Sequence, residues 1–317
     1  MTDHHRTAPA LPASPAAERA RTVGLVALAM VAFAANSLLC RAALATGEAD
    51  AAGFTVVRLA SGALTLWAIL ALRAGRTGGR PRAPWDAVTA LSLCVYMVGF
   101  SAAYLALATG TGALILFGAV QATMLSTALA RGERLGAPGW LGLALAAAGL
   151  VWLLLPGLDA PAPWAAMVMA LAGVGWGVYS LRGRGAADPL AVSAGNFALA
   201  SALVLPLAFL AAGLGLVVPD LTAAGLALAL ASGALASACG YVVWYAALPR
   251  ITAGQAATVQ LSVPVIAAAA GIALLGEALT WRLALAGVLV LGGVALALRR
   301  PARGRGSRGP VNRELWR

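Results

Sequence analysis

The chain has 317 residues, of which 61% are hydrophobic and only 10% charged, and 22 basic against 11 acidic residues give a net charge of +11. A soluble domain carries about 25% charged residues, so the composition excludes an ordinary soluble domain and indicates a chain that lies in lipid. All the basic residues are Arg, and most lie in tails and short loops. This placement favours membrane topology over nucleic-acid binding as the cause of the positive charge.

Ten apolar runs follow one another along the chain. Residues 1–21, rich in Pro and Ala, predict a disordered tail, and residues 299–317 form a basic tail. The runs between them cover residues 22–44, 53–72, 85–107, 110–130, 138–155, 163–181, 190–213, 223–247, 251–275 and 281–298. Each is long enough to cross a hydrocarbon core about 30 Å thick at 1.5 Å per helical residue. Because lipid offers the backbone no hydrogen-bond partners, we predict an all-α integral membrane protein with ten transmembrane helices.

The first run also contains an Ala-Phe-Ala triplet, at residues 32–34, that resembles the cleavage site of a signal peptide. The run is longer than the apolar region of a typical signal peptide, so a membrane helix is favoured. Trp85, Trp140, Trp164 and Trp281 begin four later runs, which is typical of Trp at the membrane interface.

The end of the chain repeats an earlier segment. Residues 111–155 contain an apolar run, a Gly-Glu step at 132–133, a short polar segment and a second apolar run. Residues 251–298 have the same order, with a Gly-Glu step at 276–277, and a shift of 144 positions superposes the two steps. A repeat over about half a chain is typical of internally duplicated transporters.

The repeat and the distribution of Arg agree. Each copy holds five helices, an odd number, so the second copy must cross the membrane in the opposite direction. We therefore predict two inverted five-helix repeats, residues 22–155 and 163–298. If the N-terminus is cytoplasmic, 19 of the 22 Arg lie on the cytoplasmic side and only Arg41 and Arg282 lie in outer segments. This bias predicts a protein of the cytoplasmic (inner) membrane with both termini in the cytoplasm.

The ten runs, the five-plus-five repeat and the paired Gly-Glu steps resemble the drug/metabolite transporter superfamily, in its EamA-type branch, over residues 22–298. Arg58 in FTVVRLASGAL matches an Arg commonly found in the second helix of that family. Pro264 in QLSVPV matches a Pro common in the ninth, whereas Val120, at the corresponding place in the fourth helix, departs from the pattern. The resemblance implies a carrier that exports metabolites or drugs by alternating access, with a central cavity between its halves.

Polar residues at membrane depth are the candidates for lining such a cavity. Arg58 is the only charge well inside a run, so it is either functional or a side chain that snorkels outward or braces carbonyls. We expect its partner to be Glu48, Asp50, a helix-end carbonyl, or the carboxylate or phosphate of a substrate. Gln121 and Gln260, near the centres of the fourth and ninth helices, either pack between helices or face a wet cavity.

Aromatic side chains form a second group of candidates. Trp176 and Tyr241 lie deep in their runs, where rings can form apolar or cation–π walls, whereas Trp244 and Tyr245 are predicted to be interfacial. A Gly-x-x-x-Gly pattern at 173–177 indicates close helix packing. The complete set of predicted substrate-binding residues is Asn36, Arg58, Tyr96, Gln121, Trp176, Tyr179, Asn196, Tyr241, Gln260 and Ser262.

The chain lacks the residues that several classes of enzyme need. A chain without Lys cannot form a phosphate loop ending in GK[ST], the only His residues lie in the first tail, and the spans hold no pair of carboxylates. The three Cys have neither metal nor disulfide spacing, and no cofactor is predicted. Glu133 and Glu277, at helix ends, are predicted to be loop or cap residues. Facilitated diffusion and exchange therefore stay as open as proton antiport.

The alternative function is a membrane scaffold or regulatory subunit that transports nothing. Polar residues kept at depth in repeated helices favour the carrier. The expected partners are a small-molecule substrate and the lipid bilayer, not nucleic acid. Both a monomer and a homodimer fit the sequence.

Overall fold

The structure is a computed structural model that describes residues 14–132, 136–157, 159–184, 186–251 and 253–298. These residues form helices and loops without a β-strand, and one isolated bridge joins Ala49 to Leu221. The spans are α1 (Pro15–Ala45), α2 (Ala51–Arg76), α3 (Ala87–Tyr104), α4 (Thr109–Ala130), α5 (Ala137–Leu154), α6 (Pro163–Gly183), α7 (Pro189–Gly213), α8 (Ala223–Arg250), α9 (Ala253–Gln260 and Ser262–Leu275) and α10 (Trp281–Ala297). Nine described helices are long and apolar enough to cross a membrane, and α10 is an apolar helix of 17 residues. The predicted all-helical architecture is confirmed at this level.

The start of α1 differs from the prediction. Ser14 accepts a hydrogen bond from the Ala17 N–H at 3.2 Å, and Pro15 occupies the first helical position. A hydroxyl cap satisfies an N–H that has no partner within the helix, and proline loses nothing where its N–H would be unpaired. Residues 15–21, predicted to belong to a disordered tail, are therefore helical. The predicted tail residues 1–13 and 299–317 lie outside the described residues.

Two helices are irregular in the middle. α8 changes from α-helix to π-helix over Ala231–Cys239 and back again. α9 is interrupted at Leu261, three residues before Pro264. Proline has no N–H to donate, and its ring clashes with the carbonyl four residues earlier, here that of Gln260. α4 is continuous and has Val120 at the corresponding position, so the two helices predicted to be copies differ in shape.

Helix contacts are made close by small residues. α2 packs along α7, α5 along α10, α3 against α6, and α8 against α1. Gly293 on α10 lies so near α5 that an added Cβ would sit 2.5 Å from the carbonyl oxygen of Gly142. The Cβ of a residue at Gly173 would meet the Leu116 carbonyl on α4 at 2.5 Å, and one at Gly177 would also meet α4. The Gly-x-x-x-Gly pattern is confirmed as a site of close helix packing.

The two ends of the bundle can be defined from the helix order. The end at which α1 begins is called the proximal end, and the opposite end is the distal end. The four Trp residues at helix starts are all exposed, as expected of side chains at a membrane interface: Trp85, Trp140, Trp164 and Trp281.

Candidate functional site

Arg58 lies on α2 in the interior of the bundle and is 0% exposed. Its Nη2 donates to the Tyr96 hydroxyl at 2.9 Å, and its Nε donates to Ser237 Oγ at 3.4 Å. The guanidinium carbon lies 4.6 Å from the centre of the Phe100 ring and 5.3 Å from that of Tyr96. Nη1 has no hydrogen-bond partner among the described residues. Every contact that holds this cation in place is therefore neutral.

The energy of this arrangement favours an incoming anion. A buried guanidinium without a carboxylate costs several kcal/mol. Contact with aromatic faces offsets about 0.5–2 kcal/mol of that cost per ring, and hydrogen bonds to a charged group contribute about 1.5–3 kcal/mol each. The site keeps a positive charge and an unused donor nitrogen.

The predicted acidic partners of Arg58 bind elsewhere. Asp50 Oδ1 caps α2 by accepting from the N–H groups of Ala52 and Gly53, and Glu48 accepts from the Thr222 hydroxyl. No described carboxylate forms an ion pair with Arg58. The expectation that Glu48 or Asp50 would neutralise Arg58 is wrong, and so is the snorkelling alternative, because the side chain is completely buried.

The π-helical part of α8 supplies a polar wall next to Arg58. Asn36 Oδ1 on α1 accepts from Ser232 Oγ at 2.8 Å and from Ser237 Oγ at 3.1 Å. An added Cβ on Gly233 would lie 2.9 Å from the carbonyl carbon of Arg58, so this glycine allows α8 to approach the backbone of α2. π-Helical segments are rare and frequently mark functional sites.

A group of buried rings surrounds this wall and is called here the aromatic cluster. Its members are Phe33, Tyr96, Phe100, Trp176, Tyr179, Phe197, Tyr241 and Trp244. The centre of the Trp176 ring lies 5.0 Å from that of Tyr241, 5.1 Å from that of Tyr96 and 5.5 Å from that of Tyr179. The Tyr241 hydroxyl has no hydrogen-bond partner among the described residues. Helices from both halves of the chain contribute to the cluster.

Trp244 does not lie at the interface as predicted. It is 6% exposed, and its ring centre lies 5.8 Å from that of Phe33 on α1. It follows Tyr241 by three positions, so both side chains share one face of α8. The prediction is wrong because a position near a helix end need not be at the surface, and α1 covers this face of α8.

The two predicted glutamines occupy different surroundings. Gln121 Nε2 donates to the Ala257 carbonyl at 3.2 Å and so joins α4 to α9. Gln260 donates to the Ala256 carbonyl, one turn earlier in its own helix, at 3.1 Å. Both are buried. Ser262 is exposed and bonds only within α9, so it lies apart from the other candidates.

Tyr179 and Asn196 lie toward the proximal end. The Tyr179 hydroxyl donates to Ser193 Oγ at 3.2 Å. Asn196 is completely buried, and its Oδ1 accepts from the Asp86 N–H at 2.9 Å. Its Nδ2 has no partner among the described residues. Of the ten predicted residues, the structure brings Asn36, Arg58, Tyr96, Trp176, Tyr179 and Tyr241 together.

A narrow crevice leads from the proximal end to the aromatic cluster. It is lined by Met124, Trp176, Ser180, Arg184, Tyr241, Trp244, Tyr245, Leu248 and Gln260. Its free volume is about 10 Å³, which is close to the minimum that holds one water molecule. The structure therefore represents a closed site with a constricted approach.

The distal end is closed by the loop between α1 and α2, which meets the loop between α7 and α8. Asp50 N–H donates to the Asp220 carbonyl at 2.7 Å, and Thr222 N–H donates to the Glu48 carbonyl at 2.9 Å. Asp220 N–H also donates to Asp50 Oδ2 at 3.1 Å. Of the hydrogen bonds that join the two loops, two are between backbone groups and three include the side chain of Asp50 or Thr222.

The proximal end is closed by the α2–α3 and α6–α7 segments through ion pairs. Arg182 is bidentate on Asp86, with Nε–Oδ1 and Nη2–Oδ2 distances of 2.9 and 3.0 Å, and Arg73 binds Asp188. Hydrogen bonds from Thr89, with a further contribution from Arg182, lower the pKa of Asp86. The hydrogen bond from Arg73 lowers the pKa of Asp188. These four charged side chains form the proximal closure.

The Gly-Glu step before α10 has a local structural role. Glu277 accepts from the Thr109 N–H at 2.8 Å, which caps α4, and lies 3.5 Å from Arg41 Nε. A carboxylate stabilises the N-terminus of a helix because unpaired N–H groups point toward it. The prediction of a cap residue is confirmed for Glu277, whereas Glu133 lies outside the described residues.

The sequence analysis did not predict five residues of the site besides Trp244: Phe33, Phe100, Phe197, Ser232 and Ser237. Phe33 precedes Asn36 by three positions and Phe100 follows Tyr96 by four, so helical spacing could have found both. Ser232 and Ser237 are five positions apart, which places them on different faces of an α-helix. They meet Asn36 together because the wider π-helix brings such positions onto one face.

Comparison with known proteins agrees with the fold. The model of the EamA-like transporter family matches residues 163–299. A protein of Pseudomonas aeruginosa, described there as uncharacterized, is 55% identical over 290 residues, which cover 91% of this chain and 98% of that protein. A crystal structure of a protein that is 23% identical superposes with a TM-score of 0.58 over 86% of this chain and 98% of its own, which shows a shared fold. The chain is a multi-pass membrane protein that belongs to the EamA-like transporter family of the drug/metabolite transporter superfamily.

Proposed function

We propose that this protein is a secondary transporter that exports small organic molecules across the cytoplasmic membrane by alternating access. The observation that carries this proposal is the position of the Arg58 site, which lies in the interior between two separate closures. An alternating-access carrier needs a central site that can be opened to one side at a time.

The helix contacts support two inverted repeats, residues 22–155 and 163–298. If α1–α5 correspond in order to α6–α10, exchanging each helix for its counterpart should turn every contact between the halves into another observed contact or leave it unchanged. The packing of α3 on α6 corresponds to that of α8 on α1, and the α2–α7 and α5–α10 pairs map onto themselves. The contacts follow the pattern expected of an inverted duplication.

The two closures correspond to each other under the same assignment. The α1–α2 loop becomes the α6–α7 loop, and the α7–α8 loop becomes the α2–α3 loop. The contact that closes the distal end is thus repeated at the proximal end. Rocking one half against the other can open one of these contacts while the other stays in place.

The charges support a cytoplasmic proximal end, with both termini in the cytoplasm. The Arg residues of the described proximal segments are Arg19, Arg21, Arg73, Arg76, Arg80, Arg82, Arg131, Arg182, Arg184 and Arg250. The distal segments contain only Arg41 and Arg282, which bind Glu277 and the Leu153 carbonyl. Because the crevice starts at the proximal end, substrate would enter from the cytoplasm, which favours export.

The experiment locks one closure covalently. Ala49 and Leu221 face each other across an antiparallel bridge, where Cα atoms lie about 4.5–5.5 Å apart, within disulfide range. The Ala49→Cys/Leu221→Cys protein, reconstituted in liposomes, should transport when reduced and stop when oxidised. The assay uses a panel of amino acids, nucleosides, carboxylates and cationic drugs.

Ala49→Cys and Leu221→Cys alone are the matched controls, since each keeps the native Cys40, Cys94 and Cys239 and lacks the second introduced thiol that the cross-link needs. Both should transport under oxidising and reducing conditions alike. A reduced protein that moves no compound of the panel, or an oxidised one that transports as fast as the reduced protein, would contradict the proposal. The first result would favour a scaffold that transports nothing.

A further inference from the structure

We infer that the transported substrate is an organic monocarboxylate with a flat apolar body, whose carboxylate binds Arg58 and Tyr241 and whose body lies among the rings of the aromatic cluster. This inference rests on the proposed transport function and narrows it to one class of substrate.

Two buried polar groups at the site are unused. Arg58 Nη1 and the Tyr241 hydroxyl are buried and have no hydrogen-bond partner among the described residues. Tyr241 follows Ser237, whose hydroxyl binds Nε of Arg58, by one helical turn on α8. Buried donors are normally paired, so two orphaned donors beside one positive charge indicate a missing acceptor. A negatively charged acceptor fits both donors, whereas a cation would be repelled by Arg58.

The geometry of the free donors favours a carboxylate. Nε of Arg58 is engaged by Ser237 and one proton of Nη2 by Tyr96, which leaves the edge formed by Nη1 and Nη2. That edge is the planar fork that binds two carboxylate oxygens side by side. A carboxylate also matches the single positive charge of Arg58, whereas a phosphate dianion would bring a second negative charge.

The remaining wall is suited to a flat apolar body. The oxygen of Asn36 is already engaged by Ser232 and Ser237, so the wall next to Arg58 has few free polar groups. Phe33 meets both Trp176 and Tyr241 edge-on, with ring centres 5.9 and 6.0 Å apart. Rings prefer such edge-to-face and offset contacts, and a planar substrate can replace one of them without loss.

The crevice provides a route for an anion from the proximal end. The exposed Arg184 lies at the mouth, and Trp176 and Tyr241 lie at the inner end. Trp176 also contacts Tyr96, whose hydroxyl binds Arg58. A positive charge at the mouth of a narrow apolar crevice raises the local concentration of anions. Arg184 thus lies on a crevice whose inner rings contact Tyr96, the residue that binds Arg58.

The test measures binding directly, on the purified full-length protein in detergent. The probes are phenylacetate, phenylacetamide and phenethylamine, which share a ring and differ in charge. Binding is followed by Trp fluorescence and by the shift in thermal unfolding. Phenylacetate should bind about tenfold or more tightly than the amide, because the amide is neutral and offers the guanidinium one acceptor oxygen in place of two. The amine should not bind. Acetate, which lacks the flat body, should bind more weakly than phenylacetate.

Variants assign the preference to the two donors. Arg58→Gln should make the affinities for phenylacetate and phenylacetamide equal, and Arg58→Lys should keep the preference with weaker binding. Tyr241→Phe removes only a hydroxyl and should weaken phenylacetate several-fold without affecting the amide. Tyr104→Phe is the matched control, because Tyr104 is not a member of the aromatic cluster and its hydroxyl already donates to the Thr109 carbonyl at 3.2 Å, and it should leave the preference unchanged.

Equal binding of the acid and the amide to the unmodified protein would overturn the inference. So would a preference for the acid that survives both Arg58→Gln and Tyr241→Phe. If Arg58→Gln does not fold, Tyr241→Phe decides alone. Transport of the liposome panel without any preference for carboxylates would refute the substrate class and leave the proposed transport function intact. Carboxylate binding without transport of any compound would refute the proposed transport function and leave the ligand class intact.

Discussion

The two closures are made by corresponding loops and are held by different chemistry. The distal closure consists of hydrogen bonds, and all but one of those that join Glu48 and Asp50 to residues 220–222 include a backbone group. The proximal closure consists of Arg73–Asp188 and Arg182–Asp86, whose side chains are 40–48% exposed. Exposed ion pairs contribute only about 0–1 kcal/mol each and are screened by salt. Hydrogen bonds to backbone groups depend instead on how the two loops are aligned. We therefore expect the proximal end to open more readily, which suits a carrier loaded from the cytoplasm.

Each closure also depends on one glycine at which two backbones touch. An added Cβ on Gly225 of α8 would lie 2.6 Å from the carbonyl carbon of Glu48, in the α1–α2 loop. An added Cβ on Gly195 of α7 would lie 2.6 Å from the carbonyl oxygen of Ala83, before α3. Because both obstacles are backbone atoms, neither can give way without moving a loop.

The largest expected effect comes from these two glycines. Gly225→Ala should keep the distal end from closing, and Gly195→Ala should do the same at the proximal end. A methyl group added to a packed contact costs about 1–3 kcal/mol, and about 1.4 kcal/mol changes an equilibrium tenfold. The rate of transport should therefore fall about tenfold or more in each variant. Labelling of a Cys placed at Ala49, which is 5% exposed, reports the distal end. A Cys at Ala191, 4% exposed, reports the proximal end.

The control for both variants is Gly287→Ala on α10, where an added Cβ meets nothing within 4 Å. It should transport normally and leave both reporters protected. Each closure variant should expose only the reporter at its own end. Exposure of both reporters by either variant would mean general loosening of the bundle and would contradict the assignment of separate closures.

A smaller effect should distinguish the chemistry of the two ends. Raising the salt concentration from about 0.01 M to about 1 M shortens the Debye length from about 30 Å to about 3 Å. Labelling at position 191 should then increase several-fold, while labelling at position 49 should not change. Arg182→Gln should mimic high salt in part and reduce the response of the proximal end to salt without abolishing it, because the Arg73–Asp188 pair remains. Arg182 is changed rather than Asp86, because Asp86 also caps α3 through the Thr89 N–H.

The smallest effect is expected from pH. The pKa values of Asp86 and Asp188 are lowered from the ordinary 3.8, so both carboxylates are charged above that value. A carboxyl group with a lowered pKa stabilises the closure above its ordinary pKa and stops doing so as the pH falls through the lowered value. Labelling at position 191 should thus be constant between about pH 5 and about pH 8 and increase only below about pH 4. A transition near neutral pH would show that another group controls this end.

The amino-acid sequence by itself determined the spans, the buried charge and several caps. An apolar run of sufficient length must become a helix in lipid, because each residue contributes to the free energy of transfer into lipid independently of its tertiary contacts. Arg58 could be identified for the same reason, as the one charge well inside a run. The break in α9 before Pro264 is also local, because the missing N–H belongs to the proline itself.

Only the tertiary structure decided which groups meet. Arg58 binds Ser237, which lies 179 positions later, and not Glu48 or Asp50, which are close in sequence. The rotation of each helix about its axis sets such pairings, and in α8 the π-helical segment changes that rotation. Trp244 became part of the site because α1 covers its face. A local pattern tells how deep a side chain lies in the membrane, whereas its partners depend on how whole helices pack.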